Sequence, residues 1–409
     1  MNEAERPGGA LHLGLWMLTS GGHIASWRHP QTDPPRLLSI EHYAETARIA
    51  ARGKLDMVFF EDTLAPRERN GHIFGEASIN SLDPVVQIAA LAGAVSDIGL
   101  AASYSTTYHS PRVLADKFAT IDALSGGRAG WNMVTSGSAA GRNFGSGKHP
   151  EHAIRYGKAH EMLFEIKRLW AAVEPSPQGE PVLIQAGMSQ WGLDFAATYG
   201  EVIFAGFKDL EMGRNFRSNL RALAMEKGRS PDSIKVLPGM MPLVAGSEKE
   251  TKEKEDFYRD LIHPTLVRGM LGERFNYDFS DYPFDRPFPI EEMMTNLEER
   301  PNIGGDRMRF VKEIIDGETV GSYAARMTTK LSGHLTVCGT PEHVADFMET
   351  WLKGGGSDGF VMQTMQAPVE LELFVDAVIP ILQKRGVFRS DYSGGTLRSH
   401  FGLPAPRRN

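Results

Sequence analysis

Short apolar runs alternate along this chain with longer stretches of helical periodicity. The runs are His12–Leu18, Met57–Asp62, Ile98–Ser105, Arg128–Ser136, Val182–Gly187, Glu201–Gly206, Ile234–Val244 and Gly359–Thr364. Between them, apolar residues recur at helical spacing over about 40–53, 83–95, 111–124, 151–171 and 190–199. Asp83 before Pro84 reads as a helix N-cap, and Ser125-Gly-Gly127 as a helix stop. Short strands alternating with helices imply right-handed βαβ units and a parallel sheet. Eight such runs predict an α/β fold closed into a (β/α)8 TIM barrel, with an open doubly wound sheet as the competing geometry. The segment 265–335 breaks the rhythm. It carries Tyr277, Phe279, Tyr282, Phe284 and several prolines, then two short helical patterns. Residues 1–409 therefore read as one elaborated barrel domain, with 265–335 an insertion, or lid, before the last barrel strand.

Composition narrows the function classes. Lys and Arg number 44 against 51 Asp and Glu, a net charge of −7, and no basic tract stands out. A nucleic-acid partner is not expected, because phosphate neutralisation needs clustered positive charge. Cys338 is the single cysteine, which precludes a disulfide within the chain and any thiolate metal cluster. No apolar stretch has the length of a membrane span, and Met1–Leu13 is polar, with Glu3, Glu5 and Pro7. A cytoplasmic setting without membrane association is the expectation.

In a parallel barrel, functional groups gather at the C-terminal strand ends. Here those ends are Thr19–His23, Glu61-Asp62, Ser103–Ser105, Asn132 with Thr135 and Ser136, Gln185–Ser189, Ala205-Gly206 and Gln363-Thr364. The set is polar but mostly uncharged, which suits an organic cofactor better than a divalent metal. Ser189 opens a helix after Gly187, a place for a phosphate or simply for a capping hydroxyl. His152 and Tyr156 are four apart and share a helix face. His149 and His152 lack nearby carboxylates to complete a metal site. Gly354-Gly-Gly-Ser-Asp-Gly359 matches a dinucleotide fingerprint in letters but lies between a helix and a strand in the wrong order. Gly187-Met-Ser-Gln-Trp191 approximates a nucleophile elbow, with the second glycine one position late.

Several strings resemble the bacterial-luciferase-like flavin-dependent monooxygenases, in the branch of nitrilotriacetate, EDTA, dibenzothiophene-sulfone and long-chain alkane monooxygenases. They are Leu55-Asp-Met-Val-Phe-Phe-Glu-Asp62, Ser103-Tyr-Ser-Thr-Thr-Tyr108, Phe118 to Ser136 with its Ser-Gly-Gly-Arg-Ala-Gly-Trp-Asn core, His152-x-x-Arg-Tyr156, and Ser176-Pro-Gln-Gly-Glu-Pro-Val-Leu-Ile-Gln-Ala-Gly-Met-Ser189. The resemblance runs from about residue 11 to about 385. It implies a barrel that binds reduced FMN (FMNH2) supplied by a separate NAD(P)H:flavin reductase. O2 would add to the flavin as a hydroperoxide, which oxygenates a small organic substrate. By motif position, Asp62, Ser103, Asn132, His152, Tyr156 and Ser189 are the cofactor-binding residues, with Ser189 at the phosphate. His23, in Gly21-Gly-His-x-x-Ser-Trp-Arg28, is the catalytic candidate. A homodimer or homotetramer is expected. Two departures stand out: only five residues separate Trp170 from Ser176 where the family has a longer loop, and Ser103 stands where Thr is common. Arg28 and Arg142 are candidates to meet a polyanionic substrate. The rival readings are an FMN- or deazaflavin-dependent hydride-transfer oxidoreductase on the same barrel, a serine hydrolase built on Ser189, and a non-catalytic flavin-binding protein.

Overall fold

The computed structural model describes residues 11–406, except 65–67, 70–71, 74–81, 137–140, 142–143, 146–148, 299–309 and 328–333. Arg142 and much of the glycine-rich loop after Ser136 lie outside the described residues. All eight apolar runs form strands: β1 (His12–Trp16), β2 (Met57–Phe60), β3 (Gly99–Ser105), β4 (Ala129–Val134), β5 (Val182–Ala186), β6 (Val202–Ala205), β7 (Lys235–Val244) and, after a further strand, β9 (Gly359–Met362). Every neighbouring pair is parallel. The order β1-β2-β3-β4-β5-β6-β7-β9 closes because β9 pairs with both β7 and β1. The result is a (β/α)8 barrel. β3 and β7 are buried along their whole length, as strands covered on both faces must be.

Helices follow the strands where periodicity placed them: α1 (Ile40–Arg52), α2 (Pro84–Ala94), α3 (Pro111–Leu124), α4 (His152–Ala171) and α5 (Gln190–Tyr199). Asp83 does cap α2, accepting from the amides of Val85 and Val86 at 2.9 and 3.0 Å. The short join after α4 closes compactly. Ser176 pairs with Gly179 in a tight turn, and Gln178 turns inward to bond the Ala129 carbonyl at 2.7 Å.

Two features go beyond the sequence pattern. A ninth strand, β8 (Leu335–Gly339), lies beside the outer half of β7, Met240–Val244, outside the closed barrel. The C-terminal segment plugs the barrel floor. Leu397, Phe401 and Leu403 pack among the interior residues Met57, Ala101, Val182, Val202 and Leu237. Gly99 is required there, since a Cβ would run into the Leu397 side chain. Arg389 anchors the plug to buried Asp56 at 2.5 Å, and Arg398 to Glu201 at 2.6 Å.

The insertion supplies short helices, Pro264–Phe275, Ile290–Glu298 and Val320–Met327, around its own apolar cluster. That cluster includes Ala25, with Ile24 packed against it, so the insertion rests on the loop that carries His23. Among the described residues, no helix is long and apolar enough to cross a membrane.

Candidate active site

The register of the barrel brings Ser103 and Asn132 together at its C-terminal mouth. Ser103 of β3 lies directly beside Asn132 of β4, and Met133 beside Gln185 of β5. Asn132 donates its side-chain amide to Ser103 Oγ at 2.8 Å. Its own carbonyl oxygen is buried without a hydrogen-bond partner, and so is the Gln185 Oε1 atom. Buried polar atoms are normally paired, so the Asn132 acceptor marks a place inside the barrel where a donor-bearing ligand fits, whereas Gln185, one position out of register with Asn132, faces the other side of the sheet toward Tyr156.

Tyr156, on α4, is buried against the opening of α5. Burial raises its pKa, partly offset by side-chain hydrogen bonds to Gln185, Ser189 and Thr135. His152 packs edge-on to it with ring centroids 5.0 Å apart, as the four-residue spacing requires. The His152 side chain is solvent-exposed, and partial desolvation with Arg155 nearby lowers its pKa. Ser189 caps α5, accepting from the Gly192 amide at 3.1 Å. It stands exposed at the positive end of the helix, where an anion is favoured. Ser103 and Asn132 thus form a polar pair inside the barrel, and Gln185, Tyr156 and Ser189 a second polar set between the barrel wall and the N-terminus of α5.

Asp62 follows β2. Burial, with Asp83 and Glu61 close by, pushes its pKa up to about 7, and its Oδ2 has no hydrogen-bond partner. His23 sits in the loop after β1. That loop is tied to the end of β9 by Gly22 N–H to the Thr364 carbonyl at 2.6 Å and His23 N–H to the Met365 carbonyl at 3.2 Å. Burial pushes the His23 imidazole down to about 4, so it is neutral. Its Nδ1 accepts from the Ala25 amide at 3.3 Å, which leaves Nε2 as the protonated nitrogen. Its ring lies 5.0 Å from that of Tyr258, whose hydroxyl donates to Glu370 at 3.3 Å.

Arg28 donates its guanidinium to the Leu261 carbonyl. His149 hydrogen-bonds the Tyr108 hydroxyl at 2.7 Å. Among the described residues, no three His, Cys, Asp or Glu side chains are grouped to hold a metal. Ser189 is engaged with Gly192 and Tyr156 rather than with a histidine base. Sequence reasoning placed Gln185 only at a strand end, without assigning it to the site. It did not anticipate the contact of Tyr258 with His23. A buried glutamine at the last turn of an apolar strand was the available signal for the first.

Residues 19–358 match the luciferase-like monooxygenase family. The chain is 35% identical to N-acetyl-S-(2-succino)cysteine monooxygenase of Bacillus subtilis, covering 97% of each chain. It is 32% identical to nitrilotriacetate monooxygenase component A of Aminobacter aminovorans, covering 98% of each. Among solved structures it superposes on the EDTA monooxygenase of Chelativorans sp. BNC1 with a TM-score of 0.77, at 30% identity and covering 97% and 98% of the two chains. The chain belongs to the luciferase-like monooxygenases and is an oxygenase of that family. The alignment with the Bacillus relative runs over 440 positions, against 409 residues here, so that relative carries internal positions this chain lacks.

Proposed function

We propose that this chain is the oxygenase component of a two-component system, using FMNH2 from a separate flavin reductase and O2 to oxygenate a small organic substrate. The observation that carries the cofactor assignment is the buried, unpartnered acceptor Asn132 Oδ1 inside the barrel mouth. The reduced isoalloxazine is rich in N–H donors, and this acceptor matches it. When bound, the flavin supplies the activation of O2 and the transfer of one oxygen atom.

The chain's own residues divide the remaining tasks. Ser189 and the first turn of α5 hold the phosphate, using a hydroxyl and a helix dipole. Tyr156 and His152 form the wall between phosphate and ring. Ser103 fixes the rotamer of Asn132, and so aims its carbonyl. Asp62, with a pKa close to neutrality, is able to give or accept a hydrogen bond at the ring edge. His23 holds its proton on Nε2 and, being neutral, donates a hydrogen bond without adding a charge to the mouth. The insertion, packed on Ile24 and Ala25 beside it, covers the mouth against water.

The decisive experiment supplies the purified chain with FMN, a flavin reductase, NADH and 18O2 over a substrate panel. One 18O atom per product molecule, dependent on FMN, is expected. Turnover without O2, or with a deazaflavin as hydride donor, would replace the proposal with hydride transfer. Turnover without flavin, abolished by Ser189→Ala, would replace it with hydrolysis.

A further inference from the structure

His23 is held from two sides. On one side, the loop after β1 is bonded to the chain after β9, by the Gly22 and His23 amides and by the Ala367 amide, which donates to the Ser20 carbonyl at 2.9 Å. Gly21 takes a φ of +128° at this contact, where a Cβ would meet the Met365 carbonyl oxygen. On the other side stands the helix Glu248–Asp260, which follows β7 and precedes the insertion. It meets the same loop at three of the loop's residues. Tyr258 sets its ring against His23, with 5.0 Å between centroids and an interplanar angle of 57°. Phe257 and Tyr258 pack on His29, at 5.3 and 5.8 Å. Just past the helix, the Leu261 carbonyl accepts from the Arg28 guanidinium.

Tyr258 is itself fixed. It is only 1% exposed, so it stands behind the loop and presents almost no surface to the mouth. Its hydroxyl donates to Glu370 Oε1 at 3.3 Å. Glu370 lies in the first turn of the helix Val369–Ala377, after β9. The same carboxylate takes Lys254 Nζ at 3.2 Å, and that ammonium also donates to the Val244 carbonyl, at the end of β7, at 2.9 Å. Lys254 and Tyr258 are four apart on one helix, so a single carboxylate reaches both. Burying a carboxylate is costly without such partners, so the three groups hold together as a unit. The imidazole in front of them is left with one unengaged polar atom. Nδ1 is taken by the Ala25 amide, Tyr258 packs against the ring, and among the described residues no group accepts from Nε2.

We propose that Tyr258 is a positioning residue for His23: its ring, seated by Glu370 and Lys254, fixes the direction in which the Nε2–H donates. The proposal rests on His23 being the donor in the proposed reaction, and Tyr258 acts only through the imidazole. Without the Tyr258 ring, the imidazole gains room to turn and water gains access to it beside a polar carboxylate. Hydration favours the charged form, so the proton affinity of His23, held low by burial, rises. The titratable groups behind the loop are His29, Lys254 and Glu370, and the last two form an ion pair whose charges oppose each other at the imidazole.

The test follows the His23 imidazole by NMR in the full chain, its signals identified by their loss in His23→Ala. In the wild type the ring is expected to titrate at about pH 4. In Tyr258→Leu the midpoint is expected to rise by about one pH unit or more, a tenfold gain in proton affinity. Tyr258→Phe keeps the ring and loses only the hydroxyl, and is expected to stay within about twofold of the wild type. FMN affinity is expected to change by less than about twofold in both variants. With the substrate that yields 18O-labelled product, product formed per O2 is expected to fall by about fivefold or more in Tyr258→Leu and to be retained in Tyr258→Phe. Should Tyr258→Leu fail to fold, Tyr258→Met, whose side chain adapts to irregular space, carries the test. A His23 midpoint unmoved by loss of the Tyr258 ring, or product per O2 indifferent to it, overturns the proposal and leaves Tyr258 a packing residue. So does a matching loss of FMN affinity, which would place Tyr258 in the flavin site. An unchanged product per O2 in His23→Ala overturns instead the reading of His23 on which the proposal rests.

Discussion

Asn132 gives its side-chain amide to Ser103 across two adjacent parallel strands at 2.8 Å, and by doing so turns its carbonyl into the barrel mouth with nothing to accept from. The bond fixes a rotamer, and the rotamer sets the polarity that the mouth presents. Replacing Asn132 by Leu leaves the strand intact but removes the acceptor. FMNH2 affinity is expected to fall by about five- to tenfold, the usual cost of one hydrogen bond inside a binding site, while thermal stability changes little. Fluorescence titration under anaerobic conditions measures it.

Ser189 offers a test that separates phosphate from ring. Ser189→Ala removes both an N-cap and a phosphate contact. The cap costs about 1 kcal/mol of stability. FMN affinity is expected to fall by about an order of magnitude, whereas riboflavin, which lacks the phosphate, is expected to bind the variant as it binds the wild type. Equal losses for both ligands would move the phosphate elsewhere.

His23→Ala is expected to separate oxygen consumption from product. The pocket loses a neutral donor whose proton sits on Nε2, so O2 is still consumed but leaves as hydrogen peroxide. Product formed per O2 should drop by about tenfold or more, a smaller loss than the roughly hundredfold minimum for removal of a full general acid. An unchanged ratio of product to peroxide removes His23 from the chemistry.

Asp62 predicts a pH dependence of stability. Its carboxyl is pushed up to about 7 in the folded chain from an ordinary value of 3.8, by burial and by Asp83 and Glu61. Between those limits the folded state binds a proton that the unfolded state has released. The group's contribution therefore declines as pH rises through the window and is fully lost above about 7. Asp62→Asn, which cannot ionise, is expected to flatten the fall in melting temperature between pH 5 and 8. A variant whose profile parallels the wild type would show that Asp62 ionises normally.

Much of the architecture was legible in the chain because it is local. Eight apolar runs separated by capped helices leave few alternatives to a barrel, and the residues at the strand ends, such as Ser103, Asn132 and Ser189, follow once the strands are drawn. His152 and Tyr156 meet because helical spacing makes them meet. β8 was not legible. β8 exists only by pairing with Met240–Val244, nearly a hundred residues earlier, and no periodicity in its own sequence announces that partner. The same holds for Leu397 and Phe401, which look like a tail and become the floor of the barrel.

That floor carries a stability prediction. Leu397 is fully buried against Gly99 and the interior strands. Leu397→Ala is expected to cost about 2–5 kcal/mol, as for other buried leucines truncated in tight packing, and to lower the denaturation midpoint without altering FMN affinity in the folded fraction. A loss below 1 kcal/mol, read from urea unfolding, would mean that the C-terminal plug is not part of the folded core.

The most direct test of the central claim is an anaerobic titration of FMNH2 into the wild-type chain and into the His152→Ala, Tyr156→Phe double variant. The proposed flavin site predicts saturable binding of one FMNH2 per chain to the wild type, weakened by about tenfold or more in the double variant. Absence of binding to the wild type, or equal affinity in the two, would contradict it.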